Sequence, residues 1–162
     1  MNQPEQIKAL FETHAAALVL YARQWAGARA DAEDAVQEGF LRYWNSRGVA
    51  THSVAYLYRC VRSCALDLRR STRRRSDREA RVTATEPFFD AHLLDQETRE
   101  SVEAAIAALP PEQAEVVVMK IWGGLTFPEI GHAADISPNT AAARYRYGIE
   151  AMRKALAHEV EP

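Results

Sequence analysis

Apolar residues recur at steps of three and four along most of the chain, which is the period of an α-helix. The first run extends from Ile7 to Trp25 and stops at Gly27, a residue type that commonly ends helices. A second helix is expected from Asp31, whose side chain can cap it, and a third from about Ser53. The apolar stripe of the third helix comprises Val54, Leu57, Tyr58, Val61, Ala65 and Leu68. Because no stretch alternates as a β-strand does, the pattern predicts an all-α protein.

A polar segment divides the helices into two groups. Residues 73–95 are rich in Arg, Ser and Thr and lose the helical period, as linkers do. The helical pattern then resumes at Ser101. We therefore expect two small helical domains, residues 1–80 and 99–160, joined by a linker over residues 81–98.

The helix after Pro110 has a proline at its first position. Pro111 suits that position because the missing amide hydrogen would have no helical partner there. Glu112 and Glu115 follow it, and we expect their carboxylates to stabilise the positive end of the helix dipole. The helix is expected to end at Trp122, before two glycines.

The last two helices have the spacing of a helix-turn-helix. Thr126 and Glu129 form a capping-box sequence, a short helix runs to Ala134, and Ser137 with Pro138 starts a longer helix. In a helix-turn-helix the second helix enters the major groove of DNA. The residues expected to face DNA are Ser137, Pro138, Asn139, Thr140, Ala143, Arg144 and Arg146. An ordinary helical hairpin is the alternative.

The second helix has a polar side that carries Asp34, Gln37 and Glu38, and Leu41 lies among them. An exposed leucine surrounded by polar groups indicates a surface that binds another protein. A simple acidic surface is the alternative interpretation of the same residues.

The third helix has an aromatic and basic side opposite its apolar stripe. At 100° per residue, Tyr56, Ser63, Asp67, Arg70 and Arg74 fall within roughly 40° of one line. Aromatic rings that stack on bases, together with arginines along the phosphates, are typical of single-stranded DNA binding. Asp67 and Arg70 are also spaced for a simple i, i+3 ion pair.

Charge supports a nucleic-acid partner only locally. The 162-residue chain has a net charge of −2, yet residues 56–81 hold nine Arg against three acidic residues and the remainder carries −8. Such a segment is either an anion-binding surface or a solvated helix face. Residues 96–162 hold six basic and ten acidic residues, so this half alone should bind DNA weakly and with strong dependence on salt.

Other classes of protein are disfavoured by the composition. No apolar run is long enough for a membrane span and the start does not resemble a signal peptide, so we expect a cytoplasmic protein with no membrane insertion. We find no motif for a phosphate-binding loop, a metal site or a catalytic triad, and expect neither an enzyme nor a cofactor.

We interpret Cys60 and Cys64, one helical turn apart, as small packing residues. A redox or metal sensor that includes His52 is the alternative.

Three segments together resemble the bacterial RNA polymerase sigma factors of the extracytoplasmic-function group. Residues 31–44, with the pattern D-A-x-D-x-x-Q-x-x-F, resemble the helix of that group that binds core RNA polymerase. Residues 55–70 resemble its helix for the −10 promoter element, and residues 109–140 resemble its domain for the −35 element. Their order along the chain makes the resemblance specific. The family usually has Trp at Tyr56 and Asn at Ser63, which leaves the promoter sequence open.

The resemblance implies a function and its partners. Asp34, Gln37, Glu38 and Leu41 would bind the clamp of the largest polymerase subunits. The −10 element would be bound as single-stranded DNA by Tyr56, Arg59, Ser63, Asp67, Arg70 and Arg74. The helix-turn-helix would bind the −35 element as duplex, and an anti-sigma factor is a further partner that the family implies. Polymerase, and not this chain, would perform the chemistry.

Two other functions stay open. A sigma mimic would keep the sigma shape in order to titrate an anti-sigma factor, and would bind promoters poorly. A stand-alone helix-turn-helix regulator would bind an operator without polymerase, but it leaves the surface of the second helix unexplained.

Overall fold

The computed structural model describes residues 3–46, 53–76 and 96–160. Helices account for most of these ranges, and no strand occurs in them. The helices are α1 (Gln3–Ala26), α2 (Arg29–Asn45), α3 (Ser53–Ser76), α4 (Gln96–Ala107), α5 (Pro111–Ile121), α6 (Phe127–Ala134) and α7 (Pro138–Val160). The predicted all-α class and its two helical groups are confirmed. None of the described helices is long and apolar enough to cross a membrane.

Helices α1, α2 and α3 pack against one another as a bundle. The apolar stripe of α3 points into it, and Leu57, Tyr58 and Val61 are fully buried. Helix α2 comes closest to α3 at Gly39, where an added Cβ would lie 2.5 Å from Val61 Cγ2 and 2.9 Å from Val61 Cα. Only a residue without a side chain allows the two backbones to approach this closely.

Gly39→Ala should therefore destabilise the bundle. The added methyl group meets the Val61 backbone, which cannot rotate away, and overpacking of this kind costs about 1–3 kcal/mol. Alanine is the better helix former by about 1 kcal/mol, so a net gain in stability would contradict the close contact. Urea unfolding followed by circular dichroism measures the change. Combined with Val61→Ala, the substitution should cost less than the two single changes added together.

Helices α4 to α7 form the second group. Helix α5 is its centre, since it contacts α7 and α6 and also contacts α1 of the first group. Six consecutive residues of α5, from Ala114 to Met119, are buried for this reason. The buried run includes the charged Glu115 as well as five apolar residues.

The two groups are in direct contact. Helix α5 lies against α1, and α6 lies against α3. The buried apolar residues of both groups form one continuous cluster. The described parts of the two predicted domains thus share a core.

Two expectations about individual side chains are wrong. Asp31 does not cap α2, because the helix already begins at Arg29 with Ala28 as a cap residue that makes no side-chain bond; Asp31 lies in the first turn. Glu115 lies beyond the first turn of α5, which holds Glu112, so its carboxylate is not placed to stabilise the helix dipole. Its side chain is 3% exposed and it pairs with Arg62 of α3, because the contact between the two groups covers it.

Candidate nucleic-acid and protein interfaces

The outer face of α2 presents the predicted protein-binding residues together. Asp34, Gln37 and Glu38 are exposed, and Leu41 is 57% exposed. Ala32, Ala35 and Val36, on the opposite side, are buried in the bundle. The helix therefore keeps an apolar side chain in water next to two carboxylates.

Phe11 of α1 extends this surface, which sequence reasoning missed. Its ring lies 5.2 Å from the ring of Phe40 in an edge-to-face contact and is 47% exposed. The helical period of α1 predicts that Phe11 is a core residue. The only sequence signal for its exposure is its position at the edge of the apolar side of α1. Phe11 and Leu41 together thus give this surface a larger exposed apolar area than Leu41 alone provides.

The predicted DNA-facing side of α3 is accessible over its described part. Arg59, Ser63 and Arg70 are exposed, and Tyr56 is half-buried with its ring 6.1 Å from the ring of Tyr43. Packing against Tyr43 holds the Tyr56 ring in place while one side stays accessible. The backbone of Arg74 continues α3, and its side chain lies outside the described residues.

Asp67 pairs with a residue of another helix. Arg42 Nη2 donates a hydrogen bond of 3.2 Å to Asp67 Oδ2, and this bond raises the pKa of Arg42. The predicted partner was Arg70, which is exposed nearby on the same helix. Arg42 places a positive charge beside the Asp67 carboxylate, which offsets part of its repulsion of a phosphate, and Arg59 and Arg70 are exposed on the same helix.

The helix-turn-helix forms as its capping residues predict. Thr126 N–H donates to Glu129 Oε1 at 2.9 Å, and Glu129 N–H donates to Thr126 Oγ1 at 3.2 Å, which completes the capping box. Asp135 ends α6 with a φ of 58°, and Ile136 N–H donates to the carbonyl of Gly131 at 3.0 Å. An added Cβ on Gly131 would lie 2.5 Å from the Ile136 carbonyl oxygen, so the turn can close this tightly only over glycine.

Helix α7 begins with the predicted cap. Ser137 Oγ accepts from Thr140 N–H at 3.1 Å and donates to Thr140 Oγ1 at 2.9 Å. Its first turn is open to solvent, with Ser137, Pro138 and Asn139 exposed. Thr140, Ala143 and Arg144 are half-buried, so they lie at the rim of this surface rather than at its centre.

Arg146 and Tyr147 form an exposed pair farther along α7. The Arg146 guanidinium lies 5.6 Å from the centroid of the Tyr147 ring, and Tyr147 is 57% exposed. The contact limits the rotamers of Arg146 and leaves its donors free to reach a base or a phosphate.

The cysteines favour the packing interpretation. Cys60 and Cys64 are free thiols and are buried, and burial raises the pKa of Cys64 to about 11. A protonated thiol is a poor nucleophile and a poor metal ligand. Among the described residues no cluster of His, Cys, Asp or Glu could hold a metal ion, and His52 lies outside them.

Comparisons with known proteins agree with this geometry. Models of sigma-70 region 2 and sigma-70 region 4 match residues 10–75 and 99–152, which cover the two helical groups. The chain is 31% identical to the ECF RNA polymerase sigma factor SigL of Mycobacterium tuberculosis, over 93% of this chain and 88% of that one. It is 30% identical to the RNA polymerase sigma factor CarQ of Myxococcus xanthus, over 91% and 87%.

A solved structure has the same fold. The sigma factor RpoE of Bartonella quintana, solved in complex with the anti-sigma factor NepR, matches 96% of this chain and 97% of its own with a TM-score of 0.72 at 18% identity. The chain therefore belongs to the extracytoplasmic-function (ECF) group of RNA polymerase sigma factors, which are non-enzymatic proteins that bind core RNA polymerase and direct it to promoters.

Proposed function

We propose that this sigma factor initiates transcription through three separate surfaces: the outer face of α2 for core polymerase, the accessible side of α3 for the −10 element and the start of α7 for the −35 element. The observation that carries the proposal is that all three surfaces are open to solvent while the opposite sides of the same helices form the core. The chain performs no covalent step of its own. It acts in the cytoplasm, where polymerase and promoters are.

The surface of α2 suits a partner helix pair such as the coiled coil of the polymerase clamp. Leu41 and Phe11 offer apolar area, and Asp34 and Glu38 offer carboxylates to basic side chains of the clamp. Buried apolar anchors supply most of the affinity of an interface, and the charges around them set its orientation.

The surface of α3 suits an unpaired strand. The Tyr56 ring, held by Tyr43, can stack on a base that has left the duplex, and Arg59 and Arg70 can follow the phosphates. Unstacking a base costs a few kcal/mol, and the contacts made to the extruded base offset that cost. Binding at the −10 element would in this way favour melting of the promoter.

The start of α7 suits the major groove. Asn139 and Thr140 can bond to base edges, and the Asn139 backbone N–H at the start of the helix can bind a phosphate. The acidic balance of residues 96–162 predicts that this half alone is a weak DNA binder. Tethering to polymerase through α2 raises the effective concentration at the −35 element and compensates for the low affinity.

We also propose that an anti-sigma factor binds this chain. Support comes from the shared fold with RpoE of Bartonella quintana, whose structure was solved with NepR. The binding partner in this organism would have to cover at least one of the three surfaces to prevent initiation.

Run-off transcription with purified core polymerase tests the proposal. Promoters are selected from a random library by the reconstituted holoenzyme, and we expect a product that depends on both core enzyme and this chain. Core binding without a product on any selected template would identify a sigma mimic. Sequence-specific DNA binding without core binding would identify a stand-alone regulator.

A further inference from the structure

An arginine and a tyrosine are stacked on the exposed side of α7. The Arg146 guanidinium lies 5.6 Å from the centroid of the Tyr147 ring. Both residues are exposed, and Tyr147 keeps 57% of its surface in water although it is a large aromatic residue. Stacking on the ring restricts the guanidinium before any ligand is bound.

Arg146 lies on the most exposed line of α7. At about 100° per residue, it points within about 20° of the direction of Asn139, an exposed residue in the first turn of the helix. The opposite side of the helix is buried and includes Ala141, Gly148 and Met152. The line from Asn139 to Arg146 is therefore the one that enters the major groove under the proposed function.

The place of Arg146 along the helix matches a base-reading position. Arg146 follows Asn139 by seven residues, which is about 10.5 Å at about 1.5 Å per residue. That rise equals about three base pairs at about 3.4 Å each, and recognition helices contact bases over a span of this size. Arg144 points about 140° away from Asn139, toward the wall of the groove, where the phosphates lie. The two arginines thus reach different parts of the DNA.

No carboxylate pairs with Arg146 in the described part of the chain. Glu150, one turn farther along α7, has the spacing to do so, but its Oε1 lies 3.8 Å from Lys154 Nζ. The Tyr147 ring contacts the guanidinium. A stacked guanidinium keeps the N–H donors of its edge for a planar partner that offers acceptors side by side.

Guanine is the base that offers such acceptors. In the major groove its O6 and N7 accept two hydrogen bonds from one guanidinium, which is the commonest specific contact between protein and DNA. Adenine presents one acceptor beside one donor there, and cytosine presents a donor. A guanidinium that is held in place and reaches the base edges therefore selects guanine.

We infer that Arg146 reads a guanine of the −35 element and that Tyr147 is the positioning residue that holds its guanidinium for this contact. The inference rests on the proposed function, since it names the base that α7 selects. The guanine lies about three base pairs from the pair that Asn139 contacts. Specificity at that base pair thus depends on the planar fork of Arg146 and not on its charge alone.

Selection from a promoter library with a random segment in place of the −35 element tests this inference. Holoenzyme reconstituted from core polymerase and the full chain is bound to the library, and the bound DNA is sequenced. We expect wild type to enrich guanine about 5-fold to 100-fold at one base pair. Arg146→Lys keeps the charge but lacks the fork, so that enrichment should fall below about twofold while total binding changes by less than about threefold.

Two variants of Tyr147 measure its positioning role. Tyr147→Phe keeps a ring beside the guanidinium and should keep the guanine enrichment. Tyr147→Ala should lower the enrichment about twofold to fivefold at the same base pair and leave the other base pairs unchanged. A merely structural role would weaken binding to all sequences alike. The matched control is Arg153→Lys, the same exchange at an exposed position near the far end of α7, and it should behave as wild type.

Three results would overturn the inference: no guanine enrichment by wild type, wild-type enrichment by Arg146→Lys, or equal weakening of Arg146→Lys on all sequences. Wild-type enrichment by Tyr147→Ala would reject the role of Tyr147. The same selection with the full chain alone at low salt, where phosphate contacts are stronger, separates the inference from the proposed function. Guanine enrichment that Arg146→Lys abolishes, in a chain that does not bind core polymerase, would retain the base contact and reject initiation. Transcription from promoters without guanine enrichment would retain initiation and reject the base contact.

Discussion

Replacing both Asp34 and Gln37 with alanine is expected to abolish stable binding of core polymerase and leave the helical fold intact. Both side chains are exposed on α2, so their loss removes no core contact and should change stability by no more than about 0.5 kcal/mol. At the centre of an interface, two polar contacts of this kind contribute about 2–4 kcal/mol together, which is about 30-fold to 1,000-fold in Kd. Purified tagged chain and core polymerase are compared by pull-down and by a fluorescence titration.

The matched control is Glu5→Ala combined with Gln6→Ala. It removes a carboxylate and a glutamine amide from exposed positions in the first turns of α1. Control and wild type should bind core polymerase equally. Wild-type affinity in the Asp34 and Gln37 double variant, with unchanged circular dichroism, would show that polymerase binds elsewhere on the chain.

Arg144→Ala combined with Arg146→Ala is expected to reduce promoter-dependent transcription about 10-fold to 100-fold without changing core binding. Each arginine at a base edge or a phosphate contributes about 1–1.5 kcal/mol or more. If both contact phosphates, the slope of log K against log salt should decrease in magnitude by about 2. Run-off yield on templates with and without the −35 element measures the loss of transcription, and promoter binding by the holoenzyme at several salt concentrations measures the slope.

Two further variants separate the loss of a DNA contact from the other effects of the double substitution. Arg153→Ala removes an exposed cation near the far end of α7 and should leave transcription unchanged. Arg144 acts on the buried Glu115, so its loss also perturbs the contact between the domains, whereas Arg146 is exposed and paired with Tyr147. The single Arg146→Ala variant therefore reports the DNA contact alone. Equal transcription from templates with and without the −35 element in wild type would reject this role for α7.

Local periodicity accounts for the surfaces that the sequence predicted correctly. A helix turns 100° per residue, so the apolar stripe of α2 also determines that Asp34, Gln37 and Leu41 lie on its opposite side. The capping box of α6 and the Ser137 cap of α7 involve residues three apart, and their hydrogen bonds form wherever those helices begin. Such features depend on neighbours in the chain and not on how the helices are placed.

Phe11 and Asp31 show where local rules are insufficient. Phe11 belongs to the apolar period of α1, yet 47% of it is exposed because the neighbouring helix covers only one edge of the ring. Asp31 has the chemistry of a cap, but α2 begins two residues earlier. The apolar period identifies the side of a helix that faces the core, but it does not show how far the neighbouring helices cover that side. Several residues near the start of a helix can also serve as its first residue.

The amino-acid order alone predicted the described helical segments, the caps of α6 and α7 and the side chains presented on α2, α3 and α7, because these follow from contacts within about four residues. Only the tertiary structure decided the partners of Asp67 and Glu115. Arg42 is 25 residues from Asp67, and Arg62 is 53 residues from Glu115. Each pairing requires a particular placement of two helices, and that placement results from the packing of the whole core. The closed contact of the two domains therefore became visible only in three dimensions.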